Sequence, residues 1–201
     1  MDLQKNQSSP KLIVTGFARH GKDTVCKLLQ DYGYTFESSS HLAGLTVVYP
    51  VLKDKYNYKD FTECFKDRVN HRQEWFELIA GYNKNNPIRL GLEILSKADI
   101  YCGIRRFEEL DALRKKTNCI TVWVDSSERL EGESVRSCTV TKAQADIILY
   151  NNGTKDELKA NVRAMVELMV DERTVITSGW HTVIEIRNGT TICRDRLKGE
   201  K

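Results

Sequence analysis

The feature that most limits what this chain can fold into lies near its start. A β-rich run, Lys11-Leu12-Ile13-Val14-Thr15, leads directly into Gly16-Phe17-Ala18-Arg19-His20-Gly21-Lys22-Asp23-Thr24. Residues 22–31 then read as a helix with Val25, Leu28 and Leu29 on one face, ended by Gly33. A strand, a turn of the form G-x-x-x-x-G-K and a helix, in that order, build an anion site largely from backbone. The glycines let the loop curl so that its N–H groups converge on phosphate oxygens. The helix N-terminus adds partial positive charge, and Lys22 brings a full charge within reach of β- and γ-phosphates. The bland alternative is a Gly-rich turn with a surface lysine. Asp23 stands where a hydroxyl residue usually ligates Mg²⁺, with Thr24 next. A carboxylate is also a hard oxygen ligand for that ion, though it brings negative charge close to the phosphates.

The rest of the chain alternates strands and helices. Tyr34-Thr35-Phe36 reads as a second strand, and a mostly helical stretch follows over about 41–98, broken near Pro50 and at Asn83 to Pro87. Asp99 to Gly103 is a strand, residues 106–116 a helix, and Cys119 to Val124 the clearest strand of all. A polar stretch from Asp125 to Gln144 precedes a strand over Asp146 to Tyr150, the turn Asn151-Asn152-Gly153 and an amphipathic helix over 154–170. Apolar strands with little alternation of polarity predict a parallel sheet covered on both faces. Beyond 171, Thr182 to Arg187 and Thr190 to Arg194 flank Asn188-Gly189, a strong hairpin signal. The division expected is a disordered leader over 1–10, an α/β body over 11–170 and a β-hairpin extension over 171–201.

Composition removes other classes. Thirty-one basic against 28 acidic side chains leave a formal charge of +3, too small to argue for nucleic acid on electrostatics alone. No apolar run approaches the roughly 18 residues of a membrane span, and residues 1–10 carry no apolar export segment. The cysteines at 26, 64, 102, 119, 138 and 193 form no C-x-x-C pair, so neither a zinc ribbon nor a redox dithiol is indicated. Free thiols in a reducing cytosol are the expectation.

The loop Gly16 to Thr24, the segment Gly103-Ile104-Arg105-Arg106 with Glu108, and the segment Asp146 to Gly153 together resemble the phage deoxynucleoside monophosphate kinases, a branch of the P-loop nucleotide kinases. The resemblance covers about residues 11–170. It implies a five-stranded parallel sheet, ATP with Mg²⁺, and an acceptor site formed between the second and third strands. Similar phage enzymes phosphorylate 5-hydroxymethyluracil already within DNA, and these motifs do not separate the two acceptors. A phage-encoded enzyme of this kind would work in the host cytoplasm.

Other residues can be weighed against that chemistry. Gly16, Ala18, Arg19, His20, Gly21, Lys22, Asp23 and Thr24 would hold the nucleotide phosphates, with Asp23 on the metal, and Asn152 lies where the kinases contact adenine. Arg105 and Arg106 follow the third strand, at the carboxyl edge where open α/β sheets bind ligands. Arg105 is the closer match to the arginine of the resembling kinases; pairing with Glu108 or Glu109 is the alternative. On a continuous helix over Lys66 to Trp75, Arg68, His71, Arg72 and Trp75 share a face. The arginines suit an acceptor phosphate and Trp75 a base. Asp67 would take a proton if the acceptor were a hydroxymethyl base. A charged amphipathic helix with Trp75 in the core explains the same pattern. Ser38-Ser39-Ser40 with His41 suit a helix cap or the acceptor. Asp99 begins its strand and Gly103 stands where an acid often ends one, leaving Asp125 as the substitute. Residues 125–145 occupy the place of a lid, with Arg129 and Arg136 to close on phosphates.

Three readings follow: a deoxynucleoside monophosphate kinase, a DNA base kinase, and a nucleotide-binding regulatory module. Arg187, Arg194 and Arg196 of the hairpin suit DNA contacts, while a sheet edge or a homodimer contact explains the extension equally well. The small net charge ranks a free nucleotide ahead of DNA.

Overall fold

A computed structural model gives the fold and describes residues 3–5, 9–134, 138–171 and 182–195. The chain runs β1 (Leu12–Thr15), α1 (Lys22–Gln30), β2 (Phe36–Ser38), α2 (Ser39–Ala43), a π-helical turn (Gly44–Val48), α3 (Tyr49–Leu52), α4 (Phe61–Asp67), α5 (Arg72–Asn83) and α6 (Arg89–Lys97). It continues through β3 (Ile100–Cys102), α7 (Phe107–Thr117), β4 (Ile120–Asp125), a 3₁₀ turn (Lys142–Gln144), β5 (Ile147–Tyr150), α8 (Lys155–Val170), β6 (Thr182–Arg187) and β7 (Thr190–Asp195).

All strands join one sheet in the order β2-β3-β1-β4-β5-β6-β7. Every pairing is parallel except the last. Every residue of β1 and β4 is buried, because helices cover both faces. Leu12 and Val14 pack with Val25 and Leu29 of α1 and Val162 and Met165 of α8. Ile13, Trp123 and Ile148 face the other way, onto Ile94 of α6 and Leu110 and Leu113 of α7. This layering puts the carboxyl ends of β1, β3, β4 and β5 at one edge of the sheet, where the loops gather.

The structure corrects the expectation of a five-stranded sheet. The sheet has seven strands, and the hairpin is continuous with it. β6 lies parallel to β5, with Ile147 opposite Ile184 and Leu149 opposite Ile186. It covers an edge that would otherwise expose unpaired backbone, and Val183 and Ile186 are fully buried. Asn188 and Gly189 take the two positive φ angles, 51° and 71°, of the expected turn. The buried Asn161 of α8 pins the tip. Its amide donates to the Tyr150 carbonyl at 2.8 Å and its oxygen accepts the Gly189 N–H at 2.7 Å.

The helical insert also differs in detail. Pro50 does not break it but starts α3, following the π turn, where a missing N–H is tolerated. The interruption falls over 53–60 instead. The continuous helix expected over Lys66 to Trp75 stops after Asp67 and restarts at Arg72. Asn70 is the physical cause. Its side chain donates to Asp67 Oδ1 at 2.6 Å and its N–H to the Asp67 carbonyl at 2.9 Å, a local alternative to helical bonding.

Two segments expected to be a loop and a tail make contacts with the body. Cys138 and Val140 of the polar stretch are buried in the core. In the leader, Leu3 packs on the core beside α1, and Lys5 donates its N–H to Tyr32 at 2.9 Å and pairs with Asp99 at 2.5 Å. Residues 172–181 and 196–201 of the extension, with Arg196, lie outside the described residues, as does Arg136 of the expected lid. Among the described residues no helix is long and apolar enough to cross a membrane.

Candidate active site

The turn between β1 and α1 forms a compact cradle. Gly16 has φ 143°, and a Cβ there would stand 2.5 Å from the Val124 carbonyl of β4. Gly21 has φ 98° and opens α1 as its N-cap. Both positions exclude a side chain, so the loop can lie flat against the ends of β4 and β5. His20 anchors it from below. Its ring is fully buried, Nδ1 accepts the Ser126 N–H at 3.1 Å, and its carbonyl accepts the Asn151 amide at 2.9 Å. Phe17 packs edge-on against Trp123 at 5.0 Å between ring centres. His20 therefore contributes backbone to the cradle and its side chain to the scaffold.

Lys22 closes the loop on itself, its ammonium donating to the Phe17 carbonyl at 2.7 Å. Burial pulls this lysine below its usual range. Arg105 adds to the shift, while Cys102, Asp23 and Glu133 oppose it. Asp23 is exposed on the first turn of α1 and accepts from the Cys102 thiol at 3.5 Å. Thr24 is exposed too, but does not line the cavity. From above, Glu133 reaches the loop: Oε2 accepts the Ala18 N–H at 2.5 Å and Oε1 accepts Arg105 Nη1 at 2.8 Å.

A cavity of about 1220 Å³ extends from this loop to the helical insert. Arg19, Lys22, Asp23, Arg105 and Glu133 line its loop end, and Arg68, Arg72, Trp75, Phe65 and His41 its far end. Six Lys and Arg side chains face three acids around the wall, so the excess matches the whole chain's +3. Ser38 serves as both cap and lining: its hydroxyl accepts the His41 N–H at 3.1 Å at the start of α2. Arg105 joins the cavity through Glu133 rather than pairing with Glu108 or Glu109.

The break in the helix splits the expected acceptor face. Arg68 and Arg72 reach the cavity, while Asp67 and His71 do not line it. Asp67 accepts from Tyr58 at 2.6 Å and Asn70 at 2.6 Å and pairs with His71 at 3.0 Å, which ties α4 to α5. Trp75 is 6 % exposed and packs with Val48, Leu52 and Cys64, so it serves as core wall, edge-on to Phe65. Asp125 accepts the Ser127 N–H at 3.0 Å, faces Lys142 at 3.7 Å and does not line the cavity.

On the other side of the loop, Arg129 folds onto the Asn151 carbonyl through Nε at 3.1 Å and Nη2 at 2.6 Å. Asn152 accepts the Glu128 N–H at 3.2 Å and lines a second cavity of about 290 Å³ with Tyr150, Gly153 and Arg187. Arg187 lies over the Tyr150 ring at 5.1 Å and pairs with Glu128.

Glu133, Lys27 and Glu37 line the cavity without having been expected there. Lys27 lies one turn beyond Asp23 on α1, and that spacing is a usable signal. Glu133 had none that set it apart from its neighbours Glu128 and Glu131. Among the described residues no three His, Cys, Asp or Glu gather as a metal cluster. A lone carboxylate such as Asp23 still fits Mg²⁺, which is held by one or two carboxylates together with substrate phosphates and water.

No protein-family model matches this chain. No curated protein matches it. Among solved structures, the chain is similar to an unliganded sugar kinase from Janibacter sp. HTCC2649, with 13% identity and a TM-score of 0.41 over 83% of this chain and 98% of that one.

Proposed function

We propose that this chain is an ATP-dependent phosphotransferase whose acceptor is a deoxynucleoside monophosphate. The observation that carries the reading is the one continuous cavity with Lys22, Asp23 and Arg105 at one end and Arg68 and Arg72 at the other. Phosphoryl transfer is governed by alignment and charge compensation more than by covalent chemistry. Lys22 leaves its bond to Phe17 and holds the β- and γ-phosphates. Arg105 stabilises the group in transfer. Asp23 is the residue that would hold Mg²⁺ beside the phosphates, where the ion neutralises developing charge. Arg68 and Arg72 fix the acceptor phosphate, for which a planar guanidinium is well shaped.

The placement of Asp67 supports a phosphate acceptor over a hydroxyl one. A monophosphate oxygen is already anionic at neutral pH and attacks without a base, whereas a hydroxymethyl group must lose a proton. The carboxylate expected to take that proton is engaged with Tyr58, Asn70 and His71 outside the cavity.

The test is an acceptor panel with γ-labelled ATP and Mg²⁺: the free deoxynucleoside monophosphates, and duplex DNA with and without 5-hydroxymethyluracil. Label in free diphosphates is the expected result. Label in DNA alone rejects the monophosphate, and ATP binding with no transfer at all makes the protein a regulatory module.

A further inference from the structure

The phosphate cradle holds a carboxylate of the chain itself. Glu133 Oε2 takes the Ala18 N–H at 2.5 Å and Oε1 takes the Arg105 guanidinium at 2.8 Å. One donor is a backbone N–H of the anion-binding loop, and the other is the arginine beside it. Two oxygens on one carbon present themselves to such donors much as two oxygens on one phosphorus do. The neighbouring backbone is packed to match: a Cβ on Gly132 would stand 2.9 Å from the Phe17 ring, so this stretch of chain rests on the loop itself.

We propose that Glu133 is an internal phosphate surrogate, which occupies the cradle in the free protein and must leave before a nucleotide triphosphate can bind. This rests on the reading that the loop binds ATP. Burial of the Glu133 carboxyl raises its pKa, yet the bonds from Arg105 and Ala18 and the charges of Arg105 and Lys22 outweigh that and hold it below the usual range. The carboxylate is therefore ionised at neutral pH and competes with phosphate for the same donors. Its effect is a tax on affinity. The apparent Kd is the intrinsic value divided by the fraction of molecules whose cradle is open. Emptying the cradle also frees Arg105, which is spent on Glu133 until then.

Equilibrium binding of MgATP and of adenosine to the full chain tests this in wild type, Glu133→Gln and Glu133→Ala, with a thermal melt to verify folding. Both variants are expected to bind MgATP about tenfold more tightly, as for a cradle occupied in about nine molecules of ten. Adenosine, which has no phosphates, is expected to bind all three proteins alike. Equal MgATP affinity in wild type and variants overturns the proposal and leaves the ATP reading intact. Weaker MgATP binding in both variants makes Glu133 a partner of the bound nucleotide and also overturns it. Failure of all three proteins to bind MgATP overturns the ATP reading, and the surrogate role falls with it.

Discussion

The Asn151 amide donates to the His20 carbonyl at 2.9 Å and stands 2.4 Å from where a Cβ on Gly21 would be. The end of β5 thus sets the height of the loop that follows β1. Asn151→Ala removes one of two donors to that carbonyl, the Ser126 hydroxyl at 3.1 Å remaining, at a cost of about 0.5–1.5 kcal/mol. A weakening of MgATP binding by up to about tenfold is expected, since about 1.4 kcal/mol is tenfold in affinity. Gly21→Ala forces both a clash and a side chain at φ 98°, so it is expected to abolish binding. Isothermal titration with MgATP measures both.

Arg114 and Asp146 form a buried ion pair at 2.6 Å, with side chains 6 % and 3 % exposed. Asp146 also accepts the Thr121 N–H at 2.8 Å, and Arg114 donates to the Gln144 carbonyl at 2.6 Å. The pair joins α7, the start of β5 and β4. Arg114→Ala leaves the carboxylate buried without its cation, and a loss of about 3–5 kcal/mol in urea unfolding is expected.

Glu109 gives the fold a pH dependence. Burial pushes its carboxyl up to about 7, against the opposing hydrogen bond from Tyr101 at 2.9 Å. A carboxyl raised above its unfolded value favours the folded state while protonated. Its contribution is full below the unfolded pKa of about 4.3 and is lost as pH rises through about 7. Glu109→Gln is expected to flatten that fall. The variant should match wild type near pH 4 and exceed it by about 3–4 kcal/mol at pH 8 in urea titrations.

Arg68 and Asp67 are neighbours in sequence with opposite expected effects. Arg68→Ala and Arg72→Ala are expected to raise the KM for the monophosphate by about tenfold or more, with the KM for ATP unchanged. Asp67→Asn keeps the side chain's shape and lies off the cavity, so transfer should stay within about twofold of wild type, alongside a small loss of stability. Steady-state kinetics with each substrate varied separates the two.

What was legible in the sequence was local. The strand, loop and helix around Gly16 to Lys22 are contiguous, and their residue types state their conformation. The β4 run and the Asn188-Gly189 turn are equally self-contained. What was not legible depended on distant partners. Nothing in Val183 to Ile186 says that they lie beside β5 rather than stand apart, because a β-rich run before Asn-Gly signals a hairpin and not what its first strand pairs with. The helix break at Asn70 carries no Gly or Pro; it comes from one side-chain bond to Asp67 that competes with the helix. That break turned Asp67 and His71 away and left Arg68 and Arg72 on the cavity. Trp75 fits a core and a base-binding face equally well until Gly44 and Phe65 are seen against it. Glu133 meets Ala18 across 115 positions, a separation that no spacing rule spans.

On the proposed function, the loop around Lys22 delivers the γ-phosphate of ATP to a deoxynucleoside monophosphate. Transfer of label from γ-labelled ATP, compared between wild type and Lys22→Ala, tests it most directly. Labelled deoxynucleoside diphosphate is expected from wild type. A fall of about 10²–10³-fold is expected in the variant, the scale for losing one preorganised group at developing charge, with an unchanged thermal melt. Full transfer by a folded Lys22→Ala protein would contradict it.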